Sequence, residues 1–524
     1  MDSKPHDRLL ALREMICRFC GSERKVFLLA FLLCSLLSVL SLLFTYDIYR
    51  DVANVYAYYA REMGRGTWTG FWVGRVPMLQ ILLAGTLALA GMEAFHANIF
   101  VSCMFYTLTL FPLRGFLKQF LSPIQAAWGC VLFAAAPKLI RFSVSGMIDA
   151  GRYFFLIAAL YLLFRLKERL SGKDVCLFGL SLAGLAVSRG EELPFSLMLL
   201  LLLPVISWSG KERFAWRPRL KAMLAAAVIF LIGITPFCAA NLHFYGAFVP
   251  DLRLAGMLYR GWDPANSAEN FSPKVPTEKK SRPAEEFCDT VTNTFRGGYE
   301  PYLVLAMIGG FLLIRRRQWD RRHTLLIVLF LLHGIIYFKV GSAYRYSIYL
   351  SPLFMPLTVG GASFLLDLYR CTPIPGKYRP GTDVLLGGAA AVVLLLQVVN
   401  GMDCVFSRGD RWLRENAAFI KAWGEENIVG RPLRLVCVEL PETVYWSGAY
   451  SVFNYNFGKR DLRIFRDFDL LLIPESRLSE LGGRSDLIEM KLPRMSSSPS
   501  SKKRFRLFRL NPESAAEAPK HVRL

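Results

Sequence analysis

The chain has 524 residues, 53% of them hydrophobic, with a mean hydropathy of +0.34, values that argue against an ordinary soluble domain. Its formal charge of +22 raises nucleic acid as a partner. The basic residues cluster between apolar runs, as the positive-inside rule expects, and no nucleic-acid motif accompanies them, so nucleic acid is set aside. Apolar runs near span length recur from residue 26 to residue 402. Backbone groups in lipid must bond internally, so the reading is a polytopic α-helical membrane protein.

In chain order, Lys4, Arg8, Arg13, Arg18, Arg24 and Lys25 place the N-terminus in the cytoplasm. The first span covers about 26–46. Tyr46 to Trp68 then reads as a helix in the outer membrane interface, with Asp47 and Asp51 one turn apart on one face. The apolar run 72–95 is either a span or an outer hairpin. Charge parity decides for the hairpin, because a span at 77–93 would invert every later loop. Spans follow near 97–116, 123–137, 153–166, 174–188, 193–208 and 221–241. Residues 242–298 form a long outer loop, and spans near 301–314, 324–338, 346–367 and 384–402 complete about eleven. That count leaves residues 403–524 outside, as a small α/β domain. Arg411 to Trp423 predicts an amphipathic helix, LRLVCVEL and DLLLIP predict buried strands, and MSSSPSSKKR predicts a mobile tail.

Charges at the outer ends of spans are costly and tend to mark sites. Asp149 precedes the fourth span, with Arg141 and Arg152 in reach. Arg75 lies in the hairpin, and Arg345 enters the tenth span from outside with Tyr346 beside it. A guanidinium fork matches phosphate oxygens, so these arginines suit an anionic headgroup. Arg189, Glu191 and Glu192 form a charged break between the fifth and sixth spans, a supporting feature at most. His96, His243 and His333 stand alone, and no metal site is expected. Cys17 and Cys20 form a lone CxxC, a weak zinc or redox signal, and NFS at 270–272 fits a short glycosylation sequon. Cys288, Cys404 and Cys437 fall on the expected outer side, and their pairing is open.

Five short patterns share an order and a membrane side. They are Asp51 before Ala60–Met63, Gly66 and Trp68; Arg75 with Pro77; Pro137, Ser143 and Asp149; Tyr245, Gly246 and Pro250; and Arg345, Tyr346, Pro352 and Pro356. Over roughly residues 26–402 the chain resembles the GT-C superfamily of polyprenyl-phosphate-sugar-dependent glycosyltransferases. Protein O-mannosyltransferases and the bacterial aminoarabinose transferase that modifies lipid A are the nearest in appearance. The family usually has Asp-Glu where this chain has Asp51 and Val52, which keeps Asp47 in play as the equivalent.

The resemblance implies transfer of a sugar from a lipid phosphate to a hydroxyl of a lipid, glycan or protein, inverting the anomeric carbon, with no cofactor. It implies Asp51 as base, Asp149 orienting acceptor or sugar, and Arg75, Arg345, Tyr346 and Arg152 at the donor phosphate. The competing reading is a transporter or flippase of lipid-linked glycans, against which no internal repeat or paired broken helix is evident.

Overall fold

The computed structural model describes residues 18–45, 51–67, 78–205, 216–252, 299–340, 347–371, 379–406, 411–437, 440–451, 468–481, 487–492 and 505–510, with a few single positions such as Tyr49 and Trp72. A helix occupies each of the eleven intervals expected to hold a span. The first is α1 (Glu23–Phe44). A π-helical turn, Val52–Tyr56, then runs into α2 (Ala57–Gly64), followed by α3 (Met78–Leu89) and α4 (Ala94–Leu117). Next come α5 (Pro123–Ala135), α6 (Pro137–Val144), α7 (Asp149–Glu168), α8 (Gly172–Ser188), α9 (Leu193–Val205) and α10 (Trp216–Tyr245). The bundle closes with α11 (Glu300–Arg315), α12 (Arg321–Val340), α13 (Leu350–Cys371) and α14 (Arg379–Gly401).

Among the described residues, four helices are long and apolar enough to cross a bilayer: Glu23–Phe44, Ala94–Leu117, Trp216–Tyr245 and Ser351–Tyr369. The pair α5 and α6, bent by 57°, is long and apolar enough to make a fifth if counted as one span. The bend falls at Pro137, which forces Ala136 out of the helical region and into extended backbone. Leu28, Leu32 and Leu36 on α1 and Leu231 and Ile232 on α10 face outward without cover, as lipid-facing helices require. Helix α3 has 12 residues, about 18 Å, against a hydrocarbon core of about 30 Å. It turns into α4 through the left-handed Gly91. At the opposite end of α4, Arg114 Nε and Lys118 Nζ reach the Glu23 carboxylate at 2.8 and 2.5 Å, pairing α1 with α4 as antiparallel neighbours.

Helices α11 and α13 approach most closely through glycine. A Cβ on Gly309 would strike the Leu357 carbonyl, and one on Gly361 the Leu305 carbonyl. Backbone cannot yield as a side chain can. Gly361→Ala is therefore expected to cost at least the ~1–3 kcal/mol of ordinary overpacking, and Gly360→Ala, where nothing lies within 4 Å, almost nothing. Thermal unfolding of the detergent-solubilised variants checks this; equal midpoints would show that the two helices can part without loss.

After α14 come α15 (Arg411–Asn427), β1 (Arg434–Cys437), α16 (Pro441–Ser447), β2 (Tyr450–Ser451), β3 (Leu470–Pro474), β4 (Leu487–Met490) and β5 (Phe505–Leu510). The strands form one mixed sheet in the order β2-β1-β3-β5-β4. Strand β1 pairs parallel with β2 and β3, and β5 lies antiparallel between β3 and β4. Leu435, Leu470, Leu472 and Leu507 pack with Ile420 of α15 on one face, and Val436, Leu471 and Ile473 pack on the other. Both central strands are thus buried on two sides, which explains their unbroken apolar sequence.

Asp469, just before β3, accepts from both terminal nitrogens of Arg431 at 2.7 and 2.6 Å and from the Arg434 N–H at 2.7 Å. Burial alone would raise its carboxyl, but these bonds and the two guanidinium charges hold it below the ordinary carboxylate range. The expected mobile tail, MSSSPSSKKR, stops just short of a strand. Residues 495–504 lie outside the described residues, but Phe505–Leu510 is an inner strand. Phe505 and Leu507 face inward, and Arg506 turns out to Glu475 and Glu489 at 2.7 and 2.5 Å. Cys437 is buried and Cys404 half-buried, whereas Cys17 and Cys288 lie outside the described residues.

Candidate active site

The segment around Asp51 was expected to lie in the membrane interface. Its described part is instead an internal strut. Val52, Ala53, Tyr56, Ala57, Tyr58, Ala60 and Met63 are buried, and Met63 packs on Gly85 of α3. The reason is its neighbour: the C-terminal unit covers the face that sequence alone assigns to lipid headgroups. Arg61 Nη1 donates to the Tyr445 carbonyl at 2.7 Å and Arg61 Nη2 to that of Ala449 at 3.1 Å. Asp51 is half-buried and opens the π-helical turn, a rare helix form that is frequent at functional sites. Ahead of it, the Tyr49 ring meets Phe142 of α6 at 6.4 Å. Helix α6 leads directly to the turn before Asp149, so the Asp51 and Asp149 segments flank a common helix.

Asp149 and Arg152 sit one turn apart at the start of α7, both buried. They do not pair with each other. Asp149 Oδ1 accepts from Arg189 Nη1 at 3.1 Å, and among the described residues its Oδ2 has no hydrogen-bond partner. Arg152 Nε donates to Glu192 Oε1 at 2.6 Å. His333 Nε2 lies 2.9 Å from Glu192 Oε2 and 3.5 Å from Arg152 Nη2. The Arg152 guanidinium stands 4.6 Å from the centre of the Tyr349 ring, and the His333 ring 4.1 Å from it. Arg141, the other expected partner of Asp149, is exposed on α6.

The four residues Arg189–Glu192 organise this centre. Helix α8 stops at Ser188 because Arg189 is extended, and a single 3-10 turn, Gly190–Glu192, leads into α9. Arg189 and Glu192 thereby reach different groups on α7. Asp251 fills the space against Gly190, where a Cβ would collide with its carboxyl. His333, which stands alone in the sequence, is joined to this centre. Its signal, and that of Arg189–Glu192, was polarity beside or within apolar runs, where such residues are rarely idle. Asp251, in a long polar loop, gave no such signal.

Trp72, three residues ahead of Arg75, meets the end of α10. Trp72 Nε1 donates to Asn241 Oδ1 at 2.8 Å, and the Tyr245 hydroxyl donates to the Trp72 carbonyl at 2.6 Å. Asn241 Nδ2 in turn donates to the Val249 carbonyl at 2.8 Å. The hairpin leading to Arg75 is therefore tied to the end of α10. Asp47, Arg75, Arg345 and Tyr346 themselves lie outside the described residues. Among the described residues no group of three or more His, Cys, Asp and Glu is placed to hold a metal ion.

Neither a protein-family model nor a curated protein sequence matches the chain. Solved structures do. ArnT from Cupriavidus metallidurans in the apo state superposes with a TM-score of 0.59 at 12% identity, over 93% of this chain and 98% of that one. ArnT bound to undecaprenyl phosphate gives 0.57 at 11% identity, over 92% and 97%. The chain has the GT-C glycosyltransferase fold. An oligosaccharyltransferase from Archaeoglobus fulgidus, tethered with an acceptor peptide, gives a TM-score of 0.49 at 12% identity, and the chain spans 64% of its length. The matched region takes in the C-terminal unit as well as the helices, since 93% of the chain is covered.

Proposed function

We propose that this protein is an integral-membrane, inverting glycosyltransferase that moves a sugar from a polyprenyl-phosphate carrier to a hydroxyl of a lipid, glycan or protein on the outer membrane face. Near end-to-end agreement with a GT-C structure that has been seen with undecaprenyl phosphate carries this reading. The reading takes eleven crossings, a cytoplasmic N-terminus and an extracytoplasmic C-terminal unit. The leaving group is an anionic phosphate, which needs cations and no general acid. Arg75 and Arg345, with Tyr346, take that role, stabilising charge as it develops. Arg152, whose Nε is engaged by Glu192, joins them at the donor phosphate. Asp51 accepts the proton of the acceptor hydroxyl as that oxygen attacks the anomeric carbon. Asp149, one of whose buried oxygens has no hydrogen-bond partner among the described residues, orients the acceptor or sugar.

The test is transfer by purified protein in liposomes, with an undecaprenyl-phosphate-linked sugar as donor. Arg345→Ala is expected to weaken donor use by about 1.5–3 kcal/mol, and lysine to rescue it only partly because it lacks the planar fork. Donor affinity unchanged in Arg75→Ala and Arg345→Ala rejects the phosphate role. Movement of lipid-linked sugar across the liposome without transfer favours a flippase.

A further inference from the structure

We propose that the C-terminal unit is a latch that orders the segment carrying Asp51, with Arg61 and Tyr445 as its positioning residues. Helix α16 ends at Ser447, and a helix end leaves its last carbonyls without donors of their own. Here the donors come from α2, almost four hundred residues away. Besides the two bonds of Arg61, Arg65 Nη2 donates to the Gly448 carbonyl at 3.5 Å. The carbonyls converge on α2 because Gly448 is left-handed, with φ of 70°, the usual glycine stop. A guanidinium serves two carbonyls from one rigid plane, which an ammonium cannot do. The Arg61 side chain also lies 5.1 Å from the ring centres of both Tyr58 and Tyr445.

The grip has a second side. The Tyr445 hydroxyl donates to the Glu93 carboxylate at the start of α4. Burial, and then the Glu93 charge, push that hydroxyl above the usual phenol range, so it stays a donor. Trp446 meets Phe95 edge-on at 5.9 Å, and Tyr58 of α2 is buried with Ile420, Val444 and Leu472 in the core of the C-terminal unit. Helix α2 has only 8 residues. Helices of that length are marginal by themselves, so outside contacts must supply its order. The inference rests on the proposed function only where it assigns Asp51 to the reaction.

Amide hydrogen exchange on the full-length protein in detergent tests the latch in Arg61→Ala, Arg61→Lys and Tyr445→Phe. Arg61→Ala is expected to speed exchange across 53–64 by tenfold or more, Arg61→Lys and Tyr445→Phe by less, with 98–116 in α4 unchanged. The turnover number for transfer should fall in step while KM for undecaprenyl-phosphate-linked sugar holds. Unchanged exchange over 53–64 in both Arg61→Ala and Tyr445→Phe overturns the latch, and so does equal loosening of α4. Faster exchange with full turnover overturns the positioning role. A wild type that orders this segment but transfers no sugar overturns the function and leaves the latch standing.

Discussion

Asp51→Asn is expected to abolish sugar transfer while expression, folding and undecaprenyl phosphate binding stay nearly intact. The amide has the carboxylate's shape but cannot take the proton of the acceptor hydroxyl. A positioned base contributes about a hundredfold to ten-thousandfold, so the loss stands out in any initial-rate assay. The half-buried setting of Asp51 at the mouth of a π-helical turn suits this experiment, because the side chain is not a pillar of the core. Asp47→Asn should cost far less. A defect that follows Asp47 keeps the enzyme and moves the base by one helical turn. Transfer lowered by no more than a few-fold in both variants removes the base from this segment altogether.

Arg152→Ala is expected to have the largest effect on stability. Arg152, Glu192 and His333 are all buried within the bundle, with the pair at 2.6 Å. Removing one member of a buried ion pair typically costs about 3–5 kcal/mol, because the survivor keeps its charge without compensation. Glu192→Gln retains an acceptor for both neighbours and should cost less, roughly 1–3 kcal/mol. Replacing both by leucine should recover much of the loss, since apolar isosteres of buried pairs are often neutral. Unfolding of the solubilised protein, followed by circular dichroism with increasing denaturant, separates the three. A cost below about 1 kcal/mol for Arg152→Ala would mean the centre is hydrated, with surface-like energetics.

The sequence by itself determined the class of architecture. Runs such as FLLAFLLCSLLSVLSLLF leave few alternatives in lipid, where only a helix satisfies every backbone group. Charge parity alone chose a hairpin over a crossing for the run 72–95, which holds the 12-residue helix α3. Two strands were legible because burial on both faces demands unbroken apolar residues. The strand Phe505–Leu510 was not, because Arg506 and Arg509 interrupt it and a serine-rich run precedes it.

Only the tertiary structure decided which charges meet. Spacing along a helix places Arg152 within reach of Asp149, but spacing cannot weigh a competitor from another helix. Glu192 takes Arg152, Arg189 takes Asp149, and His333 joins from α12. Likewise the periodicity of 46–68 distinguished an apolar face from a polar one without saying what covers either. A lipid interface and a folded domain both bury aromatic side chains and satisfy arginine. The choice between them rests on Tyr445, Gly448 and Ala449, residues that reach Arg61 and Arg65 only when the chain has closed on itself.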